Sequence, residues 1–388
     1  MKPPSFGILF VTVFYTNNVL AYNSDYSEEI QEDENPIAQF AYEVANIAQS
    51  RIDQMDEMFI SESSTTFIPQ LLIAESQGVS RLNLTSSIRW MIERSENIGG
   101  LDYHFVRDQM YWSDLSTGSI YFRPLNNKSL KSFKKRTFVE RSPLIWKPRS
   151  IAVDYITDQL YVTDTIGNTV HVFDLNDSRN SVTFKPFLHN PLNIELDPNQ
   201  GYMFIADDTR LMRASMDGTS SKAIVEQSVY FISAVTLDLD MQRVYWSDQS
   251  FNQIKSANYD GTQRRVVLKN ELGKVYNLLG MTSITFYDSQ LFIYDETWHT
   301  IVSINVSGPE QIANDSTYVV IYDWLIVKAI RLVHPSKQKH FVNPCANEQC
   351  SARQMCFISA KEGASHFLGF TCAYPDEDVS ASSSTHQS

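Results

Sequence analysis

Tyr245-Trp246-Ser247-Asp248 and Tyr111-Trp112-Ser113-Asp114 are two copies of one pattern, in which an aromatic, a bulky and a small or aromatic residue precede an aspartate. We name this pattern the tetrad. The remaining copies, of which the last is degraded, are Tyr161-Val162-Thr163-Asp164, Phe204-Ile205-Ala206-Asp207, Phe292-Ile293-Tyr294-Asp295 and Leu72-Ile73-Ala74-Glu75. Their acidic ends lie 39, 50, 43, 41 and 47 residues apart, and a period in the low forties is the length of one four-stranded propeller blade. Because one blade cannot bury its own apolar faces, six copies predict a closed ring.

Each repeat has the same internal order. An apolar residue and an aspartate precede most tetrads, and turns of the Asp-Gly type follow some of them. The tetrad itself, aromatic and β-branched, is typical of a buried strand. These pairs and turns are Leu101-Asp102, Val153-Asp154, Leu196-Asp197, Leu237-Asp238, Asp217-Gly218 and Asp260-Gly261. The pattern predicts four strands in each repeat.

On these residues the chain resembles the six-bladed YWTD propellers of the LDL-receptor family, also named LDL-receptor class B repeats. The resemblance runs from about Phe67 to near Pro375, although none of the tetrads reads Tyr-Trp-Thr-Asp in full. It implies an all-β fold, with the propeller at 67–342 and an EGF-like module at 343–375. Residues 330–338 resemble the propeller exit of that family, and the apolar stretch 318–333 is interpreted as strands of the last blade. The tetrad and paired aspartates are expected to stabilise the fold rather than to bind ligand.

All four cysteines lie between Cys345 and Cys372, so the predicted ring contains none. Four cysteines allow three pairings. The EGF-like module of the LDL-receptor family has six, paired first to third, second to fourth and fifth to sixth, and this chain matches the first four. The resemblance therefore implies the bonds Cys345–Cys356 and Cys350–Cys372. A zinc site is the alternative, but the spacing does not provide paired Cys-x-x-Cys ligands.

The amino terminus and the glycosylation sequons favour an oxidising, extracellular compartment. Lys2 precedes an apolar run, and cleavage after Ala21 would make residues 1–21 a signal peptide; a buried strand is the alternative. No later segment has eighteen consecutive apolar residues, so no membrane span is expected. Five Asn-x-Ser/Thr sequons predict a secreted glycoprotein, and they are Asn83, Asn127, Asn176, Asn305 and Asn314.

Charge is concentrated in two segments. Residues 22–66 carry eleven acids and one base, a net −10 of the −13 for the whole chain. Apolar residues at helical spacing predict a helix at 37–58, which would either pack on or precede the propeller or else bind a partner. The tail 376–388 is expected to be disordered. Lys128, Lys131, Lys134, Lys135 and Arg136 form a basic run, which is either a solvated outer strand or a glycosaminoglycan site.

A ligand site is expected on one face of the ring. The chain reverses at every turn of a blade, so loops after the tetrads and loops before the apolar-Asp pairs emerge together. In related propellers this is the ligand face, and loops on a rigid scaffold are the usual place for recognition. Phe231 and Phe251 have the alternative of packing between blades. The candidate residues are Leu115, Arg149, Ile166, Asp208, Phe231, Phe251 and Trp298.

These features favour a secreted, non-enzymatic binding protein that recognises an extracellular protein ligand. No catalytic residue, cofactor or metal is predicted, and the sequence pI of about 5.1 argues against nucleic acid. Two alternatives stay open. One is a matrix or adhesion protein with the same propeller, and the other is a calcium-dependent propeller hydrolase, for which Asn193, Asp208 and Glu75 are the candidate ligands.

Overall fold

The computed structural model describes residues 67–125, 134–226, 231–269, 280–306, 321–322, 326–339, 343–346, 350–351, 354–360 and 369–376. The predicted signal peptide 1–21, the acidic extension 22–66 with its helix 37–58, and the tail after Asp376 lie outside this part of the chain. Within it, the fold is all-β, with six four-stranded sheets and one two-stranded sheet. The only other regular element there is a short 3-10 turn at Pro335–Lys337.

The six four-stranded sheets are the blades of a propeller, because their inner strands contact one another in a ring. The predicted six-bladed β-propeller is confirmed. The first blade contains β1 (Gln70–Glu75), β2 (Gly78–Asn83) and β3 (Arg89–Arg94). In the blades that follow, strands are given from the inner to the outer. The second blade contains β4 (Ile98–His104), β5 (Gln109–Asp114), β6 (Ser119–Pro124) and β7 (Arg136–Glu140), and the third contains β8 (Pro148–Asp154), β9 (Gln159–Asp164), β10 (Thr169–Asp174) and β11 (Ser181–Phe184). The fourth blade contains β12 (Pro191–Asp197), β13 (Tyr202–Asp207), β14 (Arg210–Ser215) and β15 (Ser221–Val225). The fifth blade contains β16 (Ile232–Asp238), β17 (Arg243–Asp248), β18 (Gln253–Asn258) and β19 (Arg265–Lys269). The sixth contains β20 (Met281–Tyr287), β21 (Gln290–Asp295), β22 (Thr300–Asn305) and β23 (Ile321–Tyr322).

The ring is closed by a strand from the far end of the propeller sequence. Strand β24 (Val327–Val333) pairs with β1 and is the inner strand of the first blade. The interpretation of 318–333 as last-blade strands is therefore wrong for β24, and only β23 of that stretch belongs to the sixth blade. The physical reason is that the described residues before β4, 67–97, form only three strands, and a later strand fills the inner position of the first blade. Since residues 67–342 contain no cysteine, hydrogen bonding and packing alone hold the closure.

Every tetrad forms the last four residues of the second strand of its blade, and its first two residues face opposite sides of the sheet. Tyr111 packs with Ile151 and Val153 of the third blade, whereas Trp112 packs with Leu72 of the first. Both tetrad side chains are almost fully buried. A blade in the ring is covered on both faces, and the tetrad is bulky at consecutive positions for that reason.

The small residue of the tetrad accepts a backbone N–H that a register shift in the inner strand leaves without its regular partner. Register shifts occur near the start of the inner strand in the second to sixth blades. In three blades a tetrad hydroxyl accepts the backbone N–H exposed there: Ser113 from Gly100, Thr163 from Ser150 and Ser247 from Ala234, at 2.9, 3.0 and 3.2 Å. These hydroxyls satisfy buried donors that a regular ladder would have paired.

The EGF-like module is a two-stranded hairpin, β25 (Met355–Ser359) and β26 (Gly369–Ala373), with two disulfides. The bonds are Cys345–Cys356 and Cys350–Cys372, so the pairing implied by the resemblance is confirmed. The module packs against the third and fourth blades. Phe357 is fully buried in their common core, 5.2 Å from the ring of Phe184. The Cys356 carbonyl accepts a hydrogen bond from Gln159 at 2.7 Å.

Replacing Phe357 by alanine should destabilise the whole propeller, because its ring completes a core shared by two blades. Large-to-small changes at buried phenylalanines cost about 3–5 kcal/mol. Urea unfolding followed by tryptophan fluorescence would measure the loss. Tyr374→Ala is the matched control in the same module, because Tyr374 is 66% exposed. Equal stability of the two variants would show that the module does not brace the ring.

Candidate ligand-binding face

Two sets of loops share one face of the propeller, which we name the upper face. Inner strands begin there and second strands end there, since the strands of each blade are antiparallel. The structure places all seven candidate residues on this face, either in these loops or at the strand end beside them. The loops after the second strands are 76–77, 115–118, 165–168, 208–209, 249–252 and 296–299. The described loop residues that precede inner strands are 95–97, 141–147, 185–190, 231, 280 and 326.

In five of the six blades, the loop that precedes the inner strand lies against the loop after the second strand. The Thr165 N–H donates to the Lys147 carbonyl at 3.3 Å, and the Gln249 N–H donates to that of Phe231 at 3.1 Å. The first, second and sixth blades have the same bond, from Ser76 to Ile326, Leu115 to Asn97 and Glu296 to Gly280. Backbone hydrogen bonds therefore join the two upper-face loops in each of these five blades.

The tetrad carboxylates hold these loops. Asp164 Oδ1 accepts the N–H groups of Lys147 and Ile166 at 2.9 and 3.0 Å, so one carboxylate joins both loops of its blade. Asp295 likewise joins Gly280 to Thr297 in the sixth blade, whereas Asp207 accepts the N–H groups of His189 and Asn190, both from the loop before the fourth blade. The paired aspartates do the same on the opposite face, where Asp154 and Asp238 accept the N–H groups of the turns that follow them. The stabilising role predicted for both sets agrees with these contacts.

The seven candidates differ in exposure. Trp298, Ile166 and Phe251 are 55%, 47% and 46% exposed. The other four, Leu115, Arg149, Asp208 and Phe231, are half-buried. Phe251 is therefore not packed between blades, and the Lys255 ammonium lies 4.8 Å from its ring centre. Burial lowers the pKa of Arg149 from its usual value, although the group stays a cation at neutral pH.

Three apolar residues of the upper face were missed by the sequence reasoning. Leu144, Phe187 and Ile145 are 86%, 84% and 72% exposed, more than any of the seven candidates. They lie farther from the inner strands than the positions considered, in connections whose length the repeat does not fix. Both connections carry a sequence signal for an exposed apolar residue in a turn, because Leu144 directly follows Pro143 and Phe187 directly follows Pro186. Phe187 also has φ +56°, which is unfavourable for a bulky residue.

The opposite face, which we name the lower face, is partly occupied by another part of the same chain. The EGF-like module covers it beneath the third and fourth blades: Asn343 donates to the Ile156 carbonyl at 2.8 Å, and Thr371 donates to Asp217 at 2.7 Å. Third strands end on this face, and the described sequons Asn83, Asn176 and Asn305 lie at those ends.

The three described sequons are not equivalent. Asn176 and Asn305 are exposed, whereas Asn83 is 3% exposed and its Oδ1 accepts the N–H groups of Thr85 and Ser86. The predicted glycan at Asn83 does not fit the structure, because the acceptor amide is buried in a turn. Asn127 and Asn314 lie outside the described residues.

Only part of the basic run is described. Lys134 and Arg136 are exposed beside or in the outer strand β7, and the Lys135 ammonium lies 4.1 Å from the ring centre of Tyr121. Lys128 and Lys131 lie outside the described residues.

The central channel contains a compensated cluster of charges rather than an open site. Arg331 of β24 pairs with Glu195 and lies 4.0 Å from Asp102, and it also donates to the Leu101 carbonyl of β4 at 3.0 Å. Lys337 lines the same cavity, whose volume is about 60 Å³. Burial lowers the pKa of Lys337 to about 8.

The candidates for a calcium site have separate structural tasks. The Asn193 amide donates to Ser150 and accepts from Val235, and buried Glu75 forms an ion pair with Arg89 at 2.6 Å. Asp208 lies in an upper-face loop, where its carbonyl accepts from Ile232. Among the described residues, no group of three or more His, Cys, Asp or Glu side chains is placed to hold a metal ion.

A ring of six four-stranded blades, with a two-disulfide module on one face, is the arrangement of the LDL-receptor-family propellers that the sequence resembles. Two of the curated proteins similar to this chain are vitellogenin receptors. The chain is 29% identical over 232 residues to the vitellogenin receptor Yl of Drosophila melanogaster and 26% identical over 300 residues to the vitellogenin receptor of Solenopsis invicta. The resemblance to the LDL-receptor family is thereby confirmed.

Both matches cover a much larger share of this chain than of the receptors. They cover 59% and 74% of this chain but only 11% and 15% of the two receptors. No family model matches the chain. Among solved structures, a chain of the nidogen/laminin complex matches with a TM-score of 0.57 and 19% identity, over 68% of this chain and 98% of that one, which supports the fold alone. In the part of the chain that the structure describes, no helix is long and apolar enough to cross a membrane.

Asp164→Asn should make the stability of the protein less sensitive to acid. Burial raises the pKa of Asp164, but hydrogen bonds from His171 and from the N–H groups of Lys147, Ile166 and Gly167 outweigh burial and lower it overall. A lowered pKa in the folded state stabilises the fold above about pH 4, and this contribution is lost as pH falls further. Urea unfolding from about pH 6 to about pH 2 would show a shallower acid limb in the variant. Identical limbs would contradict the assignment.

Proposed function

We propose that this chain is a non-enzymatic, receptor-like module that binds an extracellular protein on the upper face of its propeller. The contrast between the two faces carries the proposal. The lower face holds the EGF-like module, whereas the upper face carries exposed Trp298, Phe251 and Phe187. The Asp295 and Asp207 carboxylates fix the loops of Trp298 and Phe187. Loops that are already ordered lose little conformational entropy on binding, which favours affinity.

The candidate residues have the composition of a protein-binding surface. Trp298 and Phe251 supply large apolar area, and Arg149 and Asp208 supply charge near the inner edge of the loops. Aromatic residues and arginine are enriched among the residues that dominate binding energy at protein interfaces. Leu115, Ile166 and Phe231 complete the proposed contact area.

The relatives supply the first ligand to test. Both are named as vitellogenin receptors, so vitellogenin is the first candidate for this chain. The aligned segment is a small part of each receptor, and the ligand is accordingly proposed here rather than transferred.

Trp298→Ala combined with Phe251→Ala should weaken ligand binding about tenfold or more, because two exposed aromatic anchors are lost from the contact area. The double variant and the unchanged chain would be compared by surface plasmon resonance against vitellogenin, and by capture from extracellular fluid with mass spectrometry. The matched control is Val106→Ala with Met241→Ala, at lower-face turns where these residues are 62% and 66% exposed. Equal loss in both double variants, or in neither, would argue against an upper-face ligand site.

We also propose that residues 1–21 direct secretion and are removed, and that the propeller 67–342 and the module 343–375 act together outside the cell. The two disulfides and the exposed sequons at Asn176 and Asn305 support this location. Heparan sulfate binding by the basic run around Lys134, Lys135 and Arg136 stays a prediction.

Expression in a secreting animal cell should give a glycoprotein whose mass falls on enzymatic deglycosylation. Asn176→Gln and Asn305→Gln should each remove one glycan, because both asparagines are exposed. Asn83→Gln should leave the mass of the glycoprotein unchanged, because a buried amide that caps a turn cannot carry a sugar. Intact-mass measurement decides the matter, and loss of a glycan from the Asn83 variant would contradict the described geometry.

A further inference from the structure

The upper face has two unlike halves. Over the second and third blades, and in the connection that leads to the fourth, the loops 115–118, 141–147, 165–168 and 185–190 carry Arg141, Lys147 and Lys185 and no acidic residue. The other described loops of the upper face, among them 95–97 before the second blade, carry Glu96, Asp208, Glu226 and Glu296, each close to the start or end of a strand. We name the first half the basic arc.

The basic arc is also the most apolar part of the upper face. Leu144, Ile145, Phe187 and Ile166 lie in these same loops and are 86%, 72%, 84% and 47% exposed. Exposed apolar residues that cluster rather than occur singly mark interaction sites in soluble proteins. Lysine and arginine around them would exclude a basic partner and attract an acidic one.

Three loops of the arc are tied to one another, and the fourth, 185–190, is held by the fourth blade. The Gly118 carbonyl accepts hydrogen bonds from the Arg141 N–H at 3.4 Å and from the Trp146 indole at 3.0 Å, which joins the first two loops. The bond between Thr165 and Lys147 joins the second and third loops. In the fourth loop, Arg210 donates to the Phe187 carbonyl at 2.9 Å and holds Phe187 in its positive-φ conformation. The apolar side chains are therefore presented by a preorganised surface.

We propose that the basic arc binds an acidic protein segment whose aromatic or aliphatic side chains contact Leu144, Ile145, Ile166 and Phe187. This inference rests on the proposed function, because it specifies which part of the upper face the ligand uses and what chemistry the ligand presents. A sulfated polysaccharide would satisfy the lysines but would leave exposed apolar side chains without partners. The structure therefore favours a protein segment over a polysaccharide.

A library of random 12-residue peptides displayed on phage, selected on the full-length glycoprotein, tests the proposal. The enriched peptides should combine aspartate or glutamate with tryptophan, phenylalanine or leucine. Their binding should fall about tenfold or more in Lys147→Glu/Lys185→Glu and in Leu144→Ser/Phe187→Ser, and it should weaken as salt rises. Lys222→Glu/Lys269→Glu is the matched control, because it reverses two exposed lysines of outer strands, and it should bind as the unchanged protein does.

Three outcomes of the peptide selection and binding assays would overturn the proposal, and two outcomes with the ligand itself would do so as well. One is enrichment of basic or uncharged peptides, and another is equal loss of binding in the control variant. The third is binding of heparin by the arc, abolished in Lys147→Glu/Lys185→Glu but unaffected in Leu144→Ser/Phe187→Ser, with no acidic peptide enriched. A ligand that needs Trp298 and Phe251 but tolerates every change in the arc would refute this inference and leave the proposed function standing. If binding survives both the Trp298/Phe251 changes and every change in the arc, the inference and the proposed function are both refuted.

Discussion

The upper-face loops depend on the aspartate carboxylate that ends the second strand in the second, third, fourth and sixth blades. In the third blade, the Asp164 carboxylate accepts N–H groups from the loop that precedes the blade and from the loop at its own strand end. Hydrogen bonds to an ionised group are stronger than bonds between neutral groups, and these are shielded from water. Because Asp164 ends a buried strand, its carboxylate is held in place by the core and in turn orders the exposed loops that it bonds. The same four residues thus pack the blade and shape its upper edge.

A second constraint is that every blade is covered on both faces. Tyr245 packs toward the sixth blade and Trp246 toward the fourth, and both are nearly fully buried. A blade at an open end of the array would expose one of these faces to water. The ring therefore has to close, and strand β24 closes it without a covalent bond. Arg331 on that strand also donates to carbonyls of β4, β8 and β12, so the closing strand is tied to inner strands across the channel.

Much of the fold could be predicted from the sequence, because burial on both faces imposes a pattern that repeats. The period indicated six blades, and the tetrads indicated where the second strands end. The position of β24 could not be predicted in this way, since an apolar strand does not reveal which sheet it joins. The exposed Leu144, Ile145 and Phe187 were also missed, because loop length and loop conformation are not periodic. The repeat determined which loops share a face and where the strands end, whereas the exposed apolar residues of the upper face lie in connections of irregular length.

The pairing of β1 with β24 has a consequence for how the protein is made. Leu72 is opposite Arg331, so the inner strand of the first blade is synthesised after more than 250 intervening residues. At roughly 5–20 residues per second, the ribosome needs on the order of ten to fifty seconds to cover that distance. During this interval β1 has an unpaired edge, and unpaired edges and exposed apolar faces invite aggregation. The edge of β1 therefore stays open to association until β24 has been synthesised, and a chain that ends before Val327 lacks the strand that closes the ring.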